Sequence, residues 1–463
     1  MLLAIFGYIF LQLLICFAVM RRMRSEQDYL LAGRSLGVPL AAMTIFATWF
    51  GAETCIGAAG SIYQYGLAGG RVDPFGYALC IFFMGLFFAR RLWLRKLTTL
   101  GDFYRQRFGS NVEKLGVLLM VPPSVIWAAA QILAFGHVLS ASSELTVDIA
   151  IAFAAAIVVA YTTLGGMLAD VVSDFIQGIV LILGLLILLV VVFLNLPDPG
   201  VIAAGFAPER LVFRSEGETW LAVIDGWSIP LIGSLFAAEL VARVLSCNSA
   251  EVARKAAMLG GTLYICVGLI PLSLGMIGPG LVPGLADPEQ ILPLLAQQYL
   301  PTALYVIFVG ALVSAILSTV DSALLAAGSL VSHNLVLPLL PGTDERHKVR
   351  ISRISVAIFG VVAYVLAINA DSVLGLVEEA SAFGSAGIFT CCLLGLTQKR
   401  GGPITAACSM VIGMVSYGVL AYIVQYDYAY LSSLACSLVT FGTLMWFEEP
   451  GLDESPQQAE VVY

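Results

Sequence analysis

Residues 311–330 read ALVSAILSTVDSALLAAGSL, an apolar, helix-length run with Ser318, Thr319, Asp321 and Ser322 at its centre. On a helix, positions 318, 321 and 322 share one face, so two hydroxyls and a carboxylate point the same way. A carboxylate at bilayer depth costs about 2.5 to 3.5 kcal/mol on insertion scales, so it calls for a partner. Hard oxygens gathered on one face suit a hard cation such as sodium better than a soft metal. The alternative is that the hydroxyls bond back to their own helix carbonyls and Asp321 faces a watery vestibule.

Two other segments join apolar character to breaks. Residues 41–60, AAMTIFATWFGAETCIGAAG, carry Gly51, Glu53 and Thr54 at the centre, and residues 221–240, LAVIDGWSIPLIGSLFAAEL, are broken by Gly226, Pro230 and Gly233. Secondary transporters place solute and ions on such interrupted helices, although small residues also serve plain helix packing. A third segment, YTTLGGMLADVVSDFIQG, sets Asp170 and Asp174 one turn apart on one face. Like carboxylates so placed repel unless solvent or a positive group intervenes. Asp170, close to the helix end, is expected to meet solvent, and Asp174, deeper, is the better ion candidate.

The elements that position these residues are membrane helices. The chain has 463 residues, 59% hydrophobic and 12% charged, too apolar for a soluble protein of this length. Apolar stretches near the roughly 20-residue spanning length run over 2–20, 37–60, 74–94, 113–140, 146–163, 166–195, 219–245, 258–280, 303–333, 351–369, 372–396, 402–424 and 428–447. The expected fold is an all-α integral membrane protein of about 13 transmembrane helices. Basic residues follow the odd-numbered stretches: Arg21, Arg22, Arg24 and Arg34, then Arg90 to Arg107, Arg254 and Lys255, Arg346 to Arg353, Lys399 and Arg400. The opposite loops hold only Arg71, Arg210 and Arg214, which puts the N terminus outside and the C terminus inside.

The first stretch is long and has neither a basic flank before it nor a small-residue cleavage site, so it reads as a retained helix. The nine cysteines show no CxxC spacing, which gives neither a disulfide framework nor a zinc site, and the three histidines make no ligand pair. The net charge of −8 comes partly from the acidic tail EEPGLDESPQQAEVVY, expected to be disordered in the cytoplasm. No GxxxxGK[ST] is present, which argues against ATP-driven transport by this chain, and nothing suggests nucleic-acid binding. No organic cofactor is implied.

The spacing divides the chain into an extra N-terminal helix with its basic loop at 1–36 and a five-helix repeat at 37–195. An extracellular loop at 196–218 and a second five-helix repeat at 219–396 follow. Two C-terminal helices at 397–447 and the tail at 448–463 complete it. An odd number of helices per repeat inverts the second relative to the first.

The runs DYLLAGRSLG, TLGDFYRQRFG, YTTLGGMLADVVSDFIQ and RVLSCNSAEVARKAA, in that order, resemble the sodium:solute symporter family, which includes sodium-coupled sugar, proline and sialic acid carriers. The resemblance implies a LeuT-type 5+5 inverted repeat with one extra helix before it and two after. It also implies alternating access, driven by sodium entering from outside. For the general sodium site it implies the carbonyls of Ala47, Phe50 and Ala315 and the hydroxyls of Ser318 and Thr319. A second cation or proton site falls on Asp174, Asp321 and Ser322, where Asp321 replaces the usual hydroxyl.

Substrate positions carried over by resemblance are Glu53, Thr54 and Asp73. Arg71 stands beside them and either holds a solute carboxylate, pairs with Asp73 or anchors the helix at the interface. Gln131, a polar group in midmembrane, either contacts solute or bonds helix to helix. Ala237 and Ala238 depart from the sugar-carrier pattern. Glu378 and Glu379, with Glu53 and Asp73, form an acidic vestibule that favours an amine-bearing solute such as an amino acid, unless they merely solvate a helix end.

The functional expectation is therefore sodium-coupled symport of a small polar organic solute across the cell membrane, with proton coupling as an alternative. A transporter-like sensor acting through a separate partner is the competing class, although the chain stops shortly after its last helix, without a kinase extension. A channel and an enzyme fit less well, for want of a repeated pore loop and of a paired nucleophile and base.

Overall fold

The computed structural model describes residues 25–448 apart from 142–144, 216 and 371, together with Gly7, Phe10 and Leu14. The stretch at 2–20 and the tail beyond residue 448 thus lie largely outside the described residues. Among the described residues the fold is helical without a sheet. Among the described residues, seven helices are long and apolar enough to cross a membrane, or nine if each of two bent pairs is one span. Shorter apolar helices at Val38–Trp49, Val147–Ala160 and Ala429–Leu444 add to these.

The breaks fall where the backbone chemistry predicts them. Helix Val38–Trp49 ends at Phe50, whose φ of −103° and ψ of 72° leave the helical region, and the chain resumes as a wide turn over Glu53–Ala58. Gly51 sits in that break because a Cβ there would lie 2.6 Å from the Thr319 hydroxyl and 2.8 Å from the Gln131 carbonyl oxygen. The second interrupted helix bends by 40° between Trp220–Gly233 and Ala238–Leu245. A third break, not foreseen from the sequence, bends Val373–Ala382 by 41° against Ser385–Thr397. The stretches at 146–163 and 166–195 form one run, Val147–Leu194, turned at Gly166, whose φ of 59° favours glycine.

Helix Thr302–Val331 runs through the middle of the bundle, and every residue from Ala311 to Leu330 is buried. Burial on all sides follows from a mostly apolar surface whose few polar groups find partners, and its alanines, serines and Gly328 let neighbours approach closely. It packs on Val147–Leu194 and Ser110–Ala141, and it also meets Val38–Trp49.

One end of the bundle is tied by a polar network. Asp102 closes a capping box with Thr99 at the start of helix Leu100–Phe108. It also accepts from the Thr98 amide at 2.7 Å, from Arg105 at 3.1 Å and from Asn334 at 3.1 Å. His333 lies 3.3 Å from Asp102 and 2.7 Å from Glu26, so three distant segments meet there. Burial pushes the Asp102 carboxyl up, but bonds from His333 and Thr98, with Arg105 close by, outweigh it and hold the group below its ordinary value.

Candidate functional site

At the first break, four oxygens converge. The Ser318 hydroxyl is 2.8 Å from the Ala47 carbonyl and 2.9 Å from the Ala315 carbonyl, and the Thr319 hydroxyl is 3.4 Å and 3.1 Å from the same two atoms. Ala47 belongs to the last turn before the break, where helix bonding gives out. Phe50, the remaining residue expected there, is the break itself. Of the sequence-predicted set, Ala47, Ala315, Ser318 and Thr319 thus meet in space, with hydroxyl and carbonyl oxygens supplied by two helices.

The second predicted cluster is partly assembled and contains a group the sequence reading passed over. Asp174 accepts from Thr44 at 2.5 Å, and Arg243 reaches it at 3.7 Å. The same guanidinium bonds to Asp170 and to Ser322, and it is fully buried. Asp170 is therefore not solvated, as was expected from its nearness to the helix end. It is buried and ion-paired. The two like carboxylates had already called for a positive group, and the arginine of the RVLSCNS run was the signal that would have supplied it. One oxygen of Asp174 remains without a hydrogen-bond partner. Asp321 turns towards Thr162, which donates to its carboxylate.

Beyond the first break lies a second set of polar groups. Gln131 donates to Glu53 at 2.7 Å and accepts from the Ala52 amide at 3.0 Å, which is the helix-to-helix alternative. Thr54 donates to Asp73 at 2.5 Å and Tyr264 donates to the same oxygen at 3.0 Å. Asp73 and Glu53 each keep one buried oxygen without a partner, and among the described residues neither forms a salt bridge. Arg71 does not pair with Asp73: it bonds to Glu218 at 2.7 Å and to the Ala68 carbonyl at 3.0 Å.

Three aromatic rings complete this region. Trp49 stands edge-on to Trp127 and to Tyr77, with ring centres 5.1 and 5.3 Å apart, and Tyr77 and Trp127 are 5.9 Å apart. The indole N–H of Trp127 lies beside Glu53 without closing an ordinary hydrogen bond. Sequence reasoning missed the rings because each sits alone on an apolar helix and looks like core.

Two cavities border this region. One of about 740 Å³ is lined by Gly57, Tyr65, Glu289, Tyr305 and Glu378, and one of about 260 Å³ by Arg71, Asp73 and Glu378. Glu378 thus joins both, whereas Glu379 bonds to Tyr422 and Tyr417 instead.

Comparison with known proteins bears on the family and the fold. The sequence profile of the sodium:solute symporter family matches residues 29–413. The chain is 28% identical over 375 residues to a high-affinity choline transporter of Torpedo marmorata, covering 76% of this chain and 63% of that one. It is 27% identical over 439 residues to a sodium/proline symporter of Staphylococcus aureus, covering 90% and 84%. The chain thus spans less than two thirds of the choline transporter's length. A solved Na+-coupled sialic acid symporter in a substrate-bound, outward-open state superposes with a TM-score of 0.82 at 16% identity, covering 96% of this chain and 97% of that one. A nucleobase-cation-symport-1 family transporter in a closed conformation gives 0.60 at 17% identity, covering 90% and 94%. These structural likenesses show the fold, that of LeuT-type transporters.

Proposed function

Because this chain belongs to the sodium:solute symporter family, we propose that it is a multi-pass plasma-membrane transporter that couples sodium entry to uptake of a small amine-bearing solute by alternating access. The family and the relatives are transporters and not enzymes. The observation that carries the reading is the convergence of the Ala47 and Ala315 carbonyls with the Ser318 and Thr319 hydroxyls at a helix break. Oxygen donors without thiolate or imidazole fit a hard monovalent cation, and unwinding after Trp49 frees the backbone for it. Phe50 contributes its carbonyl from the break.

The repeats span 37–195 and 219–396, with one helix before and two after, for about 13 spans, N terminus outside and C terminus inside. Support comes from the interrupted helices near the start of each repeat and from the one-sided basic loops.

For the solute, Glu53 and Asp73 are buried carboxylates without cationic partners among the described residues, next to the rings of Trp49, Tyr77 and Trp127. Unpaired buried charge is expensive, so these groups favour a cation supplied by the solute. Electron-rich ring faces add to the attraction for an ammonium group. The choline and proline carriers among the relatives both name solutes with a nitrogen centre. Asp174 and Ser322, with Arg243, and Asp321, with Thr162, form the second cation or proton region.

Uptake of labelled choline and proline into proteoliposomes tests the reading. It is expected to need an inward sodium gradient, and equal uptake in potassium buffer at constant pH would refute it.

A further inference from the structure

A further buried acid belongs to none of the clusters above. Glu239 stands in the first turn of Ala238–Leu245, after the break of the second interrupted helix. It is 5% exposed, and its Oε1 has no hydrogen-bond partner. The nearest arginine, Arg243, is one turn on and is committed to Asp170, Asp174 and Ser322. Among the described residues no salt bridge reaches Glu239.

Glu239 faces a small cavity of about 30 Å³ bounded by Ser124, Trp127, Ser234, Phe236 and Ser381. Trp127 is shared with the aromatic cluster, and Ser381 accepts or donates with Tyr77 at 2.9 Å. Trp127 therefore borders Glu53 and also the cavity at Glu239. A cavity of about 260 Å³ reaches Asp73, whereas the space at Glu239 holds about one water-sized group. A helix N-terminus stabilises an acid in its first turn, but that alone leaves no reason for a cavity at the unpartnered oxygen.

Building on the uptake reading above, we propose that Glu239 is the counter-ion of an inner subsite for the ammonium group of the solute, in the small cavity bordered by Trp127. The cavity accepts a protonated amine head, with Glu239 as hydrogen-bond acceptor, hydroxyls of Ser124 and Ser234 alongside, and aromatic walls that tolerate a cation.

Methylammonium chloride is the probe, added to the purified full-length protein at constant ionic strength with saturating sodium, and read as a thermal shift. The wild type is expected to be stabilised, Glu239→Gln to lose that response, and Glu239→Asp to keep part of it, while the sodium-induced shift is the same in all three. No methylammonium shift in the wild type, or an undiminished one in Glu239→Gln, overturns the subsite. A sodium shift that falls in Glu239→Gln assigns the residue to the ion path and overturns it as well. If Glu239→Gln fails to fold, Glu239→Asp decides alone, an unchanged response again overturning the proposal. Absence of a sodium shift in the wild type strikes the sodium-coupling reading instead and leaves the methylammonium comparison standing.

Discussion

Gln131 and Glu53 are joined by a 2.7 Å hydrogen bond between two helices, and the same Gln131 side chain accepts from the Ala52 amide at 3.0 Å. One residue thus satisfies both a buried carboxylate oxygen and a backbone donor that the break exposes. In a membrane interior such groups find no water, so the anchor is part of what makes the break tolerable. Gln131→Leu leaves both groups unsatisfied and is expected to destabilise the protein by about 1–3 kcal/mol per buried group. Thermal unfolding in detergent measures this, and an unchanged melting temperature would show that the break stands without Gln131.

The hydroxyls of Ser318 and Thr319 make a sharper prediction because only the ion should notice their loss. Both residues are small and buried, and alanine fits in either place. In Ser318→Ala with Thr319→Ala, the sodium concentration giving half-maximal stabilisation should rise at least roughly tenfold, the equivalent of about 1.4 kcal/mol. Unchanged sodium dependence would assign the hydroxyls to helix packing.

The Arg243 guanidinium is fully buried between Asp170, Asp174 and Ser322. Removing one partner of a buried ion pair strands the other, at a typical cost of about 3–5 kcal/mol. Arg243→Met is therefore expected to unfold at clearly lower temperature. Arg243→Lys should rescue it only in part, since an ammonium cannot span several acceptors with a planar fork. Full rescue by lysine would show that charge alone matters there.

What could be read from the sequence follows from how local each signal was. The break at Gly51 and the hydroxyls at 318 and 319 announce themselves by residue type on one helix, and they meet where expected. Arg243 and Asp170 lie far apart in the chain, so their pairing was out of reach of any helical spacing, and Asp170 was assigned to solvent from its place near a helix end. Trp49, Tyr77 and Trp127 come from three helices and read singly as core. The bend after Ala382 carries no proline, and a lone Gly384 among small residues is a weak sign.

The network around Asp102 predicts an acid limit to stability. Its carboxyl lies below its ordinary value in the folded protein because hydrogen bonds and Arg105 favour the charged form. The stabilisation is present above the unfolded pKa, about 3.9, and is lost as pH falls through the lower folded value. Asp102→Asn should lower the melting temperature at pH 7 and flatten its decline below about pH 4. Parallel pH profiles for the two proteins would remove Asp102 from the acid response.

Asp321 offers the last test, and it separates two chemistries. Its carboxylate accepts from Thr162, which donates its hydroxyl from the neighbouring helix run, and Thr162 also bonds to its own Val158 carbonyl at 2.9 Å. The hydroxyl has one proton, so it cannot give to both acceptors at once. A proton on Asp321 would relieve that competition, because the carboxyl could then donate to Thr162. Asp321→Asn keeps a donor at the position but removes the ability to ionise. If Asp321 carries a proton or a second cation during transport, Asp321→Asn should lose the pH dependence of uptake or one sodium from the stoichiometry, while the proposed general sodium site at Ser318 continues to respond. Uptake with the parent's pH profile and stoichiometry would leave Asp321 as a structural acceptor for Thr162.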